Sequence, residues 1–174
     1  SDWSFPVTFI TTQHPATLPY SQGWEDVTEN KQWMFDNSGV TNKWYIGGAV
    51  ADATGDSALY ISNDGGNTHS YNTYYTTNVW AYRDIDFGNN YGEYVISFDY
   101  KGRGENYYDY MRVFLGSPSV PSGNSMPSGT MQLGSDFNMV DSMTHYTFLL
   151  NSSYSGVHRL YLLWRNDGGG GVIP

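Results

Sequence analysis

Residues 91–115 read YGEYVISFDYKGRGENYYDYMRVFL, and this stretch decides the fold class. Tyr94 to Tyr100 is β-branched, aromatic and half alternating. Lys101-Gly102-Arg103-Gly104 interrupts the run with glycines. Tyr108 to Leu115 resumes it, with Met111, Val113 and Leu115 on one face and Tyr110, Arg112 and Phe114 on the other. Period-two alternation bounded by glycine marks strands, and two such runs around a short break predict a hairpin. Glu105 and Asp109 fall at its turn end. The expectation is a β-sandwich with a polar, acidic rim.

Composition agrees with that expectation. A chain of 174 residues suits one domain with a real core and is short for two. Aromatic residues make up 17% of it and 16 residues are Tyr, which suits half-buried strand faces with room for a wet hydroxyl. Ala, Leu, Glu and Lys are scarce, so long helices are not expected. The net charge of −9 argues against nucleic acid, which needs clustered Lys and Arg, and against anionic membrane surfaces. It permits cation binding, although excess acid on a domain surface is mostly just solvated. With no cysteine, disulfides, thiolate zinc sites and Cys nucleophiles are excluded. No run approaches the roughly 20 apolar residues of a helical membrane span.

Further strands lie on either side. ALYIS at 58–62 is followed by Asn63-Asp64-Gly65-Gly66, a tetrapeptide suited to positive φ. Residues 67–78 read as a long polar surface loop, and Val79–Ile85 as the next strand. Residues 116–130, rich in Ser, Pro and Gly, read as an exposed loop. His145–Leu150 and Val157–Arg165 read as strands joined by a polar turn. Turns at these intervals, with no amphipathic helix, predict an all-β sandwich whose core includes Phe98, Met111, Val113, Leu115, Leu160 and Leu162. Near the start, WSFPVTFITT at 3–12 resembles the last strand of a fibronectin type III module. The expected division is therefore 1–13 as the terminal strand and linker of such a module, and 14–174 as the sandwich domain.

A wider resemblance is carried by blocks in order: TLPYSQGWED, NKWYIGGAV, ALYISNDGG, VWAYRDIDF, YVISFDYKGRGENYYDYMRVFL and LYLLWRND. Over residues 17–167 the chain resembles the cleaved-adhesin or choice-of-anchor J modules of secreted and surface proteins of Bacteroidota, which are similar in fold to MAM domains. The resemblance implies a jelly-roll β-sandwich of two antiparallel sheets, MAM-like or galactose-binding-like, within a secreted or cell-surface multidomain parent. It also implies bound calcium and a non-catalytic part in adhesion. Such modules continue past the glycine-rich loop into a closing strand, which is not expected in a chain that stops at Pro174.

Calcium takes six to eight oxygen ligands. The resemblance places Glu25, in Gly23-Trp24-Glu25-Asp26, among them, and Glu105, Asp109 and Asp167 lie at strand ends or turns as further candidates. No D-x-D-x-D-G loop is present, so any such site is non-local. Catalysis finds no support in local spacing. His14, His69, His145 and His158 lack H-x-x-x-H spacing, there is no G-x-S-x-G elbow, and no phosphate loop occurs. Tyr71, Tyr74 and Tyr75 in a polar loop, with Tyr107 and Tyr108 at the turn, are candidate platforms for a sugar or peptide, because a ring face buries apolar area while polar neighbours fix orientation. Trp24, Trp33, Trp44, Trp80 and Trp164 read as core or rim anchors. The expected function is a non-catalytic module that captures glycan or protein ligands beside neighbouring domains of its own polypeptide, with no nucleic acid and no membrane insertion. The alternatives are a structural spacer and an accessory domain of a glycan- or protein-degrading enzyme.

Overall fold

A computed structural model of the chain describes residues 13–37, 39–50, 53–89, 92–150 and 154–173. The strand expected over 3–12 lies outside them. Among the described residues the elements are β1 (Ala16–Thr17), α1 (Val27–Asn30), β2 (Met34–Asp36), β3 (Lys43–Gly47), β4 (Ala58–Ser62), β5 (Thr77–Asp86), β6 (Tyr94–Gly102), β7 (Tyr110–Gly116), β8 (Thr130–Phe137), β9 (Val140–Leu150) and β10 (Val157–Asn166). The fold is the all-β sandwich expected from the alternation.

The main sheet has the order β1-β5-β10-β7-β8, with β2 also paired to β5. All its pairings are antiparallel except the short parallel one between β1 and β5. Its inner face carries Val79, Ala81 and Ile85 of β5, Met111, Val113 and Leu115 of β7, and Leu160 and Leu162 of β10. The second layer is not one sheet but two ribbons, β3–β4 and β6–β9. Trp44 and Ile61 of the first pack with Val79 and Ala81, while Ile96, Phe98 and Phe148 of the second pack with Val113, Leu115 and Leu133. Met111, Leu160 and Leu162 touch both groups, which places both ribbons on the same side of the main sheet. The six residues expected in the core are all there: Val113 and Leu115 are buried, and the other four are partly buried against them.

The 91–115 stretch forms its two strands but not the expected hairpin. β6 pairs with β9, while β7 pairs with β10 and β8. The alternating faces explain the difference. Phe98 and Val113 both point into the core, from opposite layers. Alternation identifies strands; which strands pair depends on which layers their apolar faces must meet.

The outer face of the main sheet is not bare either. Trp80, Phe114, Tyr161 and Leu163 cluster there. Segment 117–129 lies across them: Trp80 Nε1 donates to Gly123 O at 3.0 Å, and the Tyr161 hydroxyl donates to Ser117 O at 2.9 Å and accepts from Ser119 N at 2.8 Å. Burial on both faces is why β5, β7 and β10 are apolar at successive positions. The one helical turn among the described residues, α1, is capped by Asp26, whose side chain accepts from Thr28 N and Glu29 N. Glu29 in turn receives the buried Arg83 guanidinium at 2.8 Å and the Tyr20 hydroxyl at 2.8 Å.

Candidate functional site

Three loops meet at one end of the main sheet: 63–76 before β5, 103–109 between β6 and β7, and 167–173 after β10. The register Thr77↔Asn166 and Tyr110↔Arg165 sets their origins side by side. A buried amide ties the first of these loops to the ends of β5 and β10. Asn42 Nδ2 lies 3.0 Å from Asn72 O, 3.0 Å from Thr77 Oγ1 and 3.1 Å from Asn166 Oδ1. Thr76 Oγ1 donates to Asp167 O at 2.7 Å.

Loop 103–109 is a tight turn closed by backbone bonds between Glu105 and Asp109, 3.2 Å and 2.9 Å long. Asn138 Nδ2 donates to Glu105 O at 2.8 Å and to Asp109 O at 2.9 Å, and Arg165 Nη1 donates to Tyr108 O at 2.6 Å. The fixed turn holds Tyr107 at φ +69°, a left-handed conformation that a bulky L residue adopts only at a cost of about 1–3 kcal/mol. The residue is 75% exposed. Beside it opens a shallow cleft of about 420 Å³ lined by Asn106, Tyr107, Gln132, Ser135, Asp136 and Asn138. Tyr107 supplies the aromatic side and amides, a hydroxyl and a carboxylate supply the rest. The Asp136 carboxylate is fixed by Arg112, with Nε–Oδ1 at 2.5 Å and Nη2–Oδ2 at 3.1 Å. Tyr74, Tyr75 and Tyr108 stand exposed around the same end of the sandwich.

Tyr71 does not join them, and here the sequence reading is corrected. It is 3% exposed and packs edge-on against Trp164 at 5.0 Å. The polar run 67–78 hides a core residue because its neighbours are turn formers. The Tyr71 hydroxyl donates to Asp109 Oδ2 at 2.7 Å, and Asp109 Oδ1 accepts from Asp167 N at 3.1 Å. Burial pushes the Asp109 carboxyl above the usual carboxylate range, against the lowering effect of those two hydrogen bonds, and the charge of Asp167 adds to the rise. Burial and the hydrogen bond to Asp109 hold the Tyr71 hydroxyl well above the ordinary tyrosine value. The glycine-rich loop seals this group from outside. A Cβ on Gly171 would collide with Asp109 Oδ2 and the Tyr71 hydroxyl, so only glycine lets the loop close over them.

The structure brings Glu105, Asp109 and Asp167 of the expected metal set to this corner. Glu105 Oε2 is buried and makes no hydrogen bond. Among the described residues, however, no three His, Cys, Asp or Glu side chains are grouped closely enough to hold a metal ion. Glu25 lies elsewhere. Its Oε1 accepts from Ser57 N at 2.9 Å, beside the Gly47↔Ala58 end of the β3–β4 ribbon, whereas Asn42 and the tyrosine corner flank the Lys43↔Ser62 end. The resemblance at Gly23-Trp24-Glu25-Asp26 therefore does not carry Glu25 to the other three acids.

At that far end a second feature was not anticipated. Trp24, read from sequence as an anchor, sits at φ +67°. Its N–H donates to Gln22 Oε1 at 2.7 Å, its carbonyl accepts from Asn30 Nδ2 at 2.8 Å, and Gln22 Nε2 donates to Asn30 Oδ1 at 3.2 Å. The indole lies 4.9 Å from Trp33, tilted by 58°. It borders an open cleft of about 560 Å³ together with Trp33, Phe35, Ile46, Glu25 and Lys31. The left-handed backbone at a tryptophan has no sequence signal.

No family model matches the chain, and no curated protein matches it. Among solved structures the chain is similar to TmCBM61 in complex with β-1,4-galactotriose, at 10% identity over 81% of this chain and 83% of that one, with a TM-score of 0.46. Likeness of that degree leaves the activity of this chain open.

Proposed function

We propose that the chain is a non-catalytic binding module whose tyrosine corner captures a glycan, with Tyr107 as the stacking platform. The observation that carries this reading is Tyr107 itself: a residue three-quarters exposed, held in a strained backbone conformation by Asn138, beside a cleft of amide, hydroxyl and carboxylate groups. A strained residue held in place by its surroundings points to a role for its side chain. A rigid aromatic face with polar neighbours suits a pyranose, which has apolar C–H faces and a belt of hydroxyls. The acids around it do not support hydrolysis, which needs two carboxylates at a set separation across the bond. Asp136 is occupied by Arg112, and Asp109 lies beneath the glycine-rich loop.

Retention on a glycan array, followed by its loss in Tyr107→Ala with the fold intact by circular dichroism, tests the reading. An array on which nothing is retained, or retention equal in Tyr107→Ala, removes it. Secretion or surface display within an adhesin-like multidomain parent is part of the same proposal and rests on the block resemblance alone. So does calcium. Its support is the surplus of carboxylates at Glu105, Asp109 and Asp167 and the orphaned Glu105 oxygen. Backbone carbonyls would have to supply the remaining ligands.

A further inference from the structure

We infer that Trp24 forms a second saccharide site, at the opposite end of the β3–β4 ribbon from the tyrosine corner and independent of it. The five-residue ribbon alone sets the two sites about 15 Å or more apart.

Three observations converge on Trp24. Its backbone is left-handed, a conformation that glycine adopts without strain. Tryptophan at such a position indicates that the indole is what the position requires. The strained unit is also clamped: Gln22 and Asn30 satisfy both backbone polar groups of Trp24 and bond to each other, so its backbone is fixed before any ligand arrives, and the ring rests against Trp33. Preorganisation of this kind removes the ordering cost of binding. Finally, the indole packs against the core beside Trp33 but is only partly buried there. It borders an open cleft with Phe35 and Ile46 as apolar neighbours and Glu25 and Lys31 as charged ones. Aromatic walls with a donor and an acceptor at the rim match a pyranose ring: C–H faces against the indole, hydroxyls to Lys31 and Glu25. Because the rim carries one charge of each sign, the matched ligand is a neutral saccharide.

The test uses the whole chain in a Tyr107→Ala background, which removes the first platform. Cellohexaose, xylohexaose, mannohexaose and galactotetraose are titrated to about 10 mM, covering weak millimolar binding, and binding is read by tryptophan fluorescence and calorimetry. We expect at least one of them to bind and to shift the emission. Trp24→Ala in the same background should then weaken that binding by about tenfold or more, as loss of a central aromatic anchor does. Glu25→Gln keeps the acceptor for Ser57 N–H and serves as the variant least able to disturb the fold. It should weaken binding several-fold with an unchanged melting point. Absence of binding by all four sugars in the Tyr107→Ala background overturns the second site. So does Trp24→Ala with affinity within about twofold of its parent. Binding lost with Tyr107→Ala but present in the parent overturns this inference and leaves the tyrosine corner standing.

Discussion

The Tyr71 hydroxyl donates a 2.7 Å hydrogen bond to Asp109 Oδ2, joining two loops whose residues are 38 positions apart in the chain. Both residues are almost wholly buried. The bond thus fixes the base on which the exposed tyrosines stand. Tyr71→Phe keeps the ring and its contact with Trp164 but leaves a buried carboxylate oxygen without its donor. It should lower stability by about 1–3 kcal/mol, as read from urea unfolding. A change below the error of that measurement would mean that water or another donor replaces the hydroxyl.

Asp109 also predicts a pH dependence. Its folded carboxyl titrates above the unfolded value of about 4. Through the interval above pH 4 the unfolded chain sheds this proton while the folded chain keeps it, so the unfolded state binds fewer protons. Stability should therefore fall as pH rises through that interval. Asp109→Asn has no proton to lose. The variant should gain on its parent as pH rises above about 4, the unfolded value. Parallel stability curves for the two proteins would remove Asp109 as the source.

Asp64 should behave in the opposite way. Hydrogen bonds from Ser62, first, and from Thr68 hold its carboxyl at about 2. Its contribution is complete above the unfolded value and declines as acid brings the pH down towards about 2. Carboxyl carbon chemical shifts measured by NMR would reveal a midpoint near the unperturbed value if these bonds are absent in solution.

At the alkaline end, Tyr20 is pushed up to about 12, chiefly by burial and then by its bond to Glu29. Tyr71 is raised further still. The unfolded chain ionises these hydroxyls from about pH 10, so stability should drop steadily above that point. Ultraviolet titration should show a delayed fraction of tyrosines that becomes ordinary in denaturant. One uniform transition in the native protein would contradict this placement.

Tyr107→Gly separates strain from recognition. The substitution relieves a left-handed tyrosine and removes a ring that buries little area. Strain relief of about 1–3 kcal/mol stands against a glycine entropy cost of about 0.5–1. The variant should be as stable as its parent or more so, while glycan retention is lost. A fall in melting temperature would show that the Tyr107 ring supports the turn.

Much of the architecture was legible because alternation reports faces. Met111, Val113 and Leu115 were assigned to the core from their spacing alone, and they lie there. Pairing was less legible, since Phe98 and Val113 look alike in sequence whether they share a layer or oppose one another. β8 gave little signal because Gly134, Ser135 and Asp136 dilute its pattern around Leu133 and Phe137, the two residues it buries. Tyr107 and Tyr108 were read as exposed from their place at the turn, beside glycines and acids, and they are exposed. Tyr71 was misplaced for the same reason: a polar neighbourhood conceals a single inward ring. Trp24 was read as a core or rim anchor, and it packs against the core beside Trp33; its left-handed backbone had no sequence signal, because the Gln22–Asn30 clamp around it is non-local.

Segment 117–129 has the composition of a loop that could be cut or lengthened freely, yet Trp80, Phe114, Tyr161 and Leu163 lie beneath it. A proteolytic nick or an insertion there would uncover a contiguous aromatic face and give the molecule a self-adhesive surface.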